Sequence, residues 1–135
     1  MNSATFAKRL AAYLIDVVIL YNLTEIVILI SAIFAPPDIV AQFIRAVPFV
    51  LLVISLYFIL FWAFAHGATP GMMLLKIRVI QTNGSDISFG QSIMRYIGFI
   101  LATLPLFLGF IWVLFDKENQ GWHDKISKTI VITQD

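Results

Sequence analysis

Three long apolar runs separated by shorter polar stretches organise the chain. The first extends from about Leu10 to Phe34, is interrupted by Asp16, Asn22, Thr24 and Glu25, and stops at Pro36-Pro37-Asp38. The second runs from about Phe43 to Ala65, with Pro48 near its start and His66-Gly67 at its end. The third, about Gln91 to Phe115, contains Arg95, Gly98, Pro105 and Gly109. A hydrocarbon core of about 30 Å takes about 20 apolar residues per helical pass, so each run is long enough to cross. Between the second and third runs the period changes. Leu75 to Gln81 alternate, with Leu75, Ile77 and Val79 on one face and Lys76, Arg78 and Ile80 on the other, as in a half-buried strand. Asn83-Gly84 then signals a two-residue hairpin, and Ser88 with Gln91 fits a capping box that opens the third run. Pro70-Gly71 can open a short amphipathic element before the strand, and residues 129–134, TIVITQ, form a second short β-branched stretch that can pair with the first if both lie on one side of the membrane, a second argument for a cytoplasmic tail.

Composition makes the apolar runs membrane segments rather than core helices. Of 135 residues 60% are hydrophobic and 13% charged, and the mean hydropathy is +0.91; a soluble domain has roughly 45–50% apolar and 25% charged residues. There is no Cys, so disulfides, thiolate metal sites and cysteine nucleophiles are excluded. The first run, with Lys8-Arg9 at its start, exceeds the roughly 7–15 apolar residues of a signal core and is read as retained. Lys and Arg stay on the cytoplasmic side, which places the N-terminus inside, the Pro-Pro loop outside, and Lys76 and Arg78 inside. A straight third pass would put Lys117, Lys125 and Lys128 outside. A fold-back at Leu104-Pro105 leaves eight of the nine basic residues inside, all but Arg45. The expected fold is therefore an all-α integral membrane protein. It has two full transmembrane helices, a third kinked or re-entrant segment, a small cytoplasmic β-hairpin-like element over loop 66–90, and a cytoplasmic tail, 116–135. One domain covers residues 1–135, in the cytoplasmic membrane.

The charges inside the apolar runs carry the candidate chemistry. Helical residues advance ~100° and ~1.5 Å each, so Arg9 and Asp16 share a face, about 20° and about 10.5 Å apart. Tyr13 and Thr24 lie within about 60–80° of that face, and Glu25 projects about 180° from Asp16. An ionised Asp at bilayer depth costs at least about 2.5–3.5 kcal/mol, and such residues pair, face the bundle interior or line a water path. Asp16 is thus either a proton or cation site or polar glue between helices. Arg9 reads as an interfacial anchor or as a tuner of that carboxylate. Arg95 needs a partner, and Asp16 has the most compatible depth. In WHDK, Trp122 suits an interface, His123 can titrate near neutral pH, and Asp124 is either a gate or a turn residue bonded to free backbone N–H groups. His66 reads as a helix-end residue. No HExxH, CxxC, EF-hand, GxSxG, Walker A or GxGxxG spacing exists, which argues against an enzyme and against a metal or cofactor site.

RLAAYLID, HGATPGMMLLKIRVI and LPLFLGFIWVLFDKENQGWHDKISKTIVI, in that order, resemble the RDD family of prokaryotic membrane proteins over about residues 6 to 133. The resemblance makes Arg9, Asp16 and Asp124 the Arg and two Asp for which the family is named, and adds Thr69, Pro70 and Gly71 as a motif. This chain departs from the pattern at Met72, where a basic residue is usual, and at Ser127-Lys128, where Ala-Gly is usual. For members of the family, transport that includes exchange of monovalent cations for protons has been proposed.

Two functions follow as expectations. One is a transport component in which Asp16 exchanges protons for monovalent cations, Arg9 and Arg95 set its affinity, and Asp124 with His123 controls access. The other is a membrane scaffold or accessory protein whose buried charges are structural. Three segments enclose no wide path alone, so homo-oligomers or a partner membrane protein are expected, packed through the Asp16 or Glu25 faces. No nucleic acid partner is expected.

Overall fold

The computed structural model describes residues 2–34 and 38–134. Helix α1, Phe6–Ile33, starts four residues before the apolar run, because the Thr5 hydroxyl caps it by accepting the Lys8 N–H at 3.4 Å. Helix α2, Ile39–Phe64, likewise starts at a cap, the Asp38 carboxylate accepting the Val40 N–H at 3.0 Å. The Pro36-Pro37 breaker lies outside the described residues. Both helices are long and apolar enough to cross a membrane, with mean hydropathies of 2.1 and 2.5. Their outer faces carry large exposed apolar side chains such as Leu29, Ile33, Phe43 and Ile44. A surface of that kind is stable against lipid and not against water.

Thr69 caps α3, Pro70–Leu74, with Pro70 at its first position. Strand β1, Ile77–Gln81, follows, and Asn83-Gly84 reverses the chain so that Ile80 bridges Asp86. The expected hairpin does not extend beyond that bridge. β1 pairs with β2, Thr129–Thr133, as the two short stretches allowed, antiparallel with Val79 opposite Val131. Ile77, Val79 and Val131 are fully buried on one face of the pair, and Ile80 and Ile132 are buried on the other, so each strand covers the apolar residues of its partner. The N-terminal segment joins the sheet, Ala4 N–H donating to the Val131 carbonyl at 2.9 Å and Thr133 N–H to that of Asn2 at 2.9 Å. The start of α1 and the end of the chain therefore lie at the same end of the bundle.

The Ser88–Gln91 capping box opens α4, Phe89–Thr103. The third run does not continue straight. After Pro105, Leu106 and Phe107 take positive φ of 52° and 64°, and α5, Leu108–Ile111, with the 3-10 turn Trp112–Leu114, leaves α4 at 109°. Pro105 cannot donate to the α4 ladder, and the left-handed pair after it turns the chain back. The third segment is therefore bent, as expected, and is not one straight helix. Helix α6, Trp122–Ser127, then packs on α4. The small cap made of α3, the sheet and α6 covers one end of the apolar helices.

Candidate functional site

Two buried carboxylates sit where the cap meets the long helices. Asp16 has no exposed surface. Its Oδ1 accepts the Tyr57 hydroxyl at 2.7 Å and the Gly71 N–H at 2.8 Å, and its Oδ2 accepts the Thr69 hydroxyl at 2.5 Å. One residue of α1 thereby holds α2 and α3. Thr69 also accepts the Met72 N–H at 3.3 Å, so a single hydroxyl caps α3 and binds Asp16. Gly71 is required by close approach: a Cβ there would lie 2.1 Å from the Ala12 carbonyl oxygen and 3.0 Å from Asp16 Cγ. The Thr69-Pro70-Gly71 motif is thus a carboxylate clamp: a donor hydroxyl, a helix start, and a backbone N–H with no side chain in its way. Met72, where the resemblance leads one to expect a basic residue, is fully buried in the apolar core.

Asp124 makes a second and different knot. Its Oδ2 accepts Arg9 Nη1 at 2.6 Å and the Gly121 N–H at 2.9 Å, while Arg95 Nη1 binds Oδ1. Arg95 Nη1 also donates to Thr129 Oγ1 at 2.7 Å, and the guanidinium lies 5.0 Å from the centre of the Trp62 ring. Asp124 and Arg95 are 0% exposed and Arg9 3%. The group ties α1, α4, α6 and β2 together. Burial by itself raises the Asp124 carboxyl, but the guanidiniums beside it, Arg95 foremost and then Arg9, with the Gly121 N–H, hold it below the usual carboxylate range. It is therefore ionised at neutral pH.

Several expectations are corrected here. Arg9 is no interfacial anchor, because α1 begins at Phe6 and the cap closes over it. Arg95 pairs with Asp124 and not with Asp16. The reason is Gly98, one turn along α4, where a Cβ would lie 2.9 Å from His123 Cα; its absence lets α6 approach. Arg9 and Asp16 share a helix but bond to separate partner sets. Lys125 pairs with Asp116 and leaves Asp124 to the arginines. His123 does not titrate near neutrality: burial pushes it from 6.5 down to about 3. Glu25 is exposed on the outside of α1, and His66 ends α2 in a left-handed turn, 3.3 Å from Asp86. Trp122 starts α6 partly exposed, and Tyr13 is half-buried with its hydroxyl unbonded among the described residues.

Tyr57, Gly121 and Thr129 are the participants that sequence reasoning missed. Tyr57 is one aromatic among many in α2 and carries no local signal. Gly121 was legible in principle, since Gly-x-x-Asp is the spacing at which an Asp side chain caps the N–H of a helix start. Lys128 explains one departure from the family pattern. It closes α6 at φ 53° and ψ 48°, the left-handed conformation that Gly adopts without a steric cost. Lys128→Gly is expected to stabilise the fold by about 1 kcal/mol, read as a rise in melting temperature in detergent. An unchanged or lower value refutes that account.

The fold and site define a class: a helical membrane protein with two lipid-facing helices, a broken third segment, and two buried aspartates that fasten a polar cap. The chain belongs to the RDD family, which it matches over residues 3–128. It is 38% identical over 84 residues to the uncharacterized protein YxaI of Bacillus subtilis, covering 62% of this chain and 55% of that protein. It is 33% identical over 67 residues to the proline-rich antigen homolog of Mycobacterium tuberculosis, covering 49% of this chain and 28% of that one. It is also 34% identical over 83 residues to an uncharacterized protein of Rickettsia prowazekii, 61% of this chain and 45% of the relative. The matches thus span about half or less of these relatives. No solved structure matches the chain.

Proposed function

We propose that this domain is a membrane scaffold or accessory module, in which the buried Arg and Asp groups hold a polar cap against the ends of the apolar helices. The observation that carries this reading is the saturation of both aspartates. Three neutral donors fill Asp16, and two guanidiniums and a backbone N–H fill Asp124. Exchange of protons for monovalent cations, the other reading, needs a carboxylate that alternates between a proton and a cation and that water can reach. Asp16 has no exposed surface and would have to release α2 and α3 to serve. Lys8, Lys76, Lys117, Lys125 and Lys128 belong to the cap end or its loops, and the preference of Lys and Arg for the inner side supports a cytoplasmic cap with both termini beside it. Glu25, exposed on a helix apolar enough to cross the membrane, marks the face for a second copy or a partner helix.

The test is proton flux in liposomes carrying an internal pH dye, driven by a sodium or potassium gradient. The scaffold reading expects no flux above empty liposomes. Asp16→Asn makes the experiment interpretable, because its amide oxygen keeps the bonds from Tyr57 and Gly71 and only the Thr69 bond must reverse. We expect it to fold with a loss of about 1–2 kcal/mol. Cation-driven flux in wild type overturns the scaffold reading, and its loss in folded Asp16→Asn assigns the exchange to that carboxylate.

A further inference from the structure

A cleft of about 690 Å³ runs along one side of α1, walled by α2, α4 and the returning α5 segment. Its size falls in the range of ligand pockets, about 300–1,000 Å³. It follows α1 from Arg9 to Thr24, about 22 Å at ~1.5 Å per residue. The walls are apolar for most of that length, and its rim residues Leu14 and Val17 are each 58% exposed, so it opens towards lipid. The cap end is different. Arg9, Tyr13 and His123 line it there, and Arg9 Nη2, the Tyr13 hydroxyl and both His123 ring nitrogens are buried with no hydrogen-bond partner among the described residues.

Buried polar atoms without partners are rare and costly, and a cluster of them at one end of an apolar channel calls for a ligand with a polar head. The charge fixes its sign. Two guanidiniums share the single carboxylate of Asp124, while Asp16, the other buried carboxylate, gives its bonds to Tyr57, Thr69 and Gly71. The knot next to the cleft therefore has one positive charge in excess. A guanidinium N–H, a phenol O–H and one imidazole N–H suit the two oxygens of a monoanion. A dianion would lie too close to Asp124.

We propose that the cleft binds a single-chain lipid anion, a long-chain fatty carboxylate, with its chain along α1 and its head at Arg9, Tyr13 and His123. Arg9, Tyr13 and His123 line the cleft with their polar atoms buried, so the head docks through a rotamer change at Tyr13, the one member of the three that is only half-buried. This inference goes beyond the scaffold reading and is tested without any flux measurement.

The test is photolabelling of the whole chain, in nanodiscs of zwitterionic lipid, with a palmitate that carries a diazirine near its methyl end. Adducts mapped by mass spectrometry should concentrate at the far end of the cleft, on Leu20, Thr24 and Val50. Excess palmitate should compete at least about tenfold better than hexadecanol, the difference made by charge-assisted hydrogen bonds, while acetate and inorganic phosphate should not compete. Leu14→Trp, a change at an exposed rim position that leaves the polar knots intact, should abolish the focused adducts. Tyr13→Phe should narrow the preference for acid over alcohol. Scattered adducts, equal competition by the alcohol, or indifference to Leu14→Trp overturns the proposal. Stronger competition by a lysophosphatidate than by palmitate overturns the carboxylate head in favour of a phosphate.

Discussion

Asp124→Ala should lower the stability of the folded domain by about 3–5 kcal/mol, the usual cost of breaking a buried ion pair by removing one partner. The loss is that large because the change leaves two guanidiniums behind. Arg95 has no exposed surface and would keep only Thr129 and the Trp62 ring, while Arg9 would keep a 3.3 Å bond from Nε to the Ala4 carbonyl. With a total stability of roughly 5–15 kcal/mol for a typical domain, much of the protein should then be cleaved in limited proteolysis of detergent-solubilised samples. Glu118→Ala, at an exposed position, is the control and should stay within about 0.5 kcal/mol. A further variant separates charge from packing. Removing all three groups together, as Arg9→Met, Arg95→Met and Asp124→Leu, should cost less than Asp124→Ala alone, since no unpaired charge remains. If the triple variant is the less stable one, the knot acts through its shape and hydrogen bonds and not through charge balance.

How much of this was legible follows from the range of each interaction. The two long helices, the capping box at Ser88 and the alternating strand are local patterns of polarity, and the structure has all of them. Boundaries drifted by up to four residues because Thr5 and Asp38 cap the helices outside the apolar runs. That small drift had a consequence, since it set Arg9 a turn inside α1, where the cap covers it. Asn83-Gly84 announced a reversal, and the pairing of the two short β-branched stretches, 75–81 and 129–134, was legible from their composition, although their register was not. The pairing of Arg95 with Asp124 depends on the 109° break and on the space left by Gly98, and neither is written near Arg95. From the sequence, Arg9 and Arg95 group with Asp16, and Asp124 stands apart as a gate or turn residue; the structure gives both arginines to Asp124 and leaves Asp16 to neutral donors. Asp16 clamps α1 to α2 and α3, and Asp124 clamps α1 to α4, α6 and β2, so α1 is the element both knots share.

Gly71→Ala tests the first of those clamps, and it should be nearly as damaging although it adds one methyl group and no charge. The added Cβ would sit 2.1 Å from the Ala12 carbonyl oxygen, well inside any van der Waals contact, and the atom it meets is backbone within α1. No rotamer change relieves such a clash; α3 has to withdraw. Withdrawal stretches the Gly71 N–H and Thr69 hydroxyl bonds to Asp16 together, since both donors ride on that one turn. Each buried group left unsatisfied costs about 1–3 kcal/mol, so a total near 3 kcal/mol or more is expected. The cap should loosen first, because α3 leads directly into β1 and carries the sheet with it. Hydrogen exchange in nanodiscs should show lost protection in β1 and β2 while α1 and α2 stay protected inside the lipid. Thr69→Val gives the graded comparison: it removes one donor and the cap of α3 without a clash, and should cost less than Gly71→Ala. Equal protection of the strands in Gly71→Ala and wild type would show that Asp16 holds α2 through Tyr57 alone, with α3 a passenger.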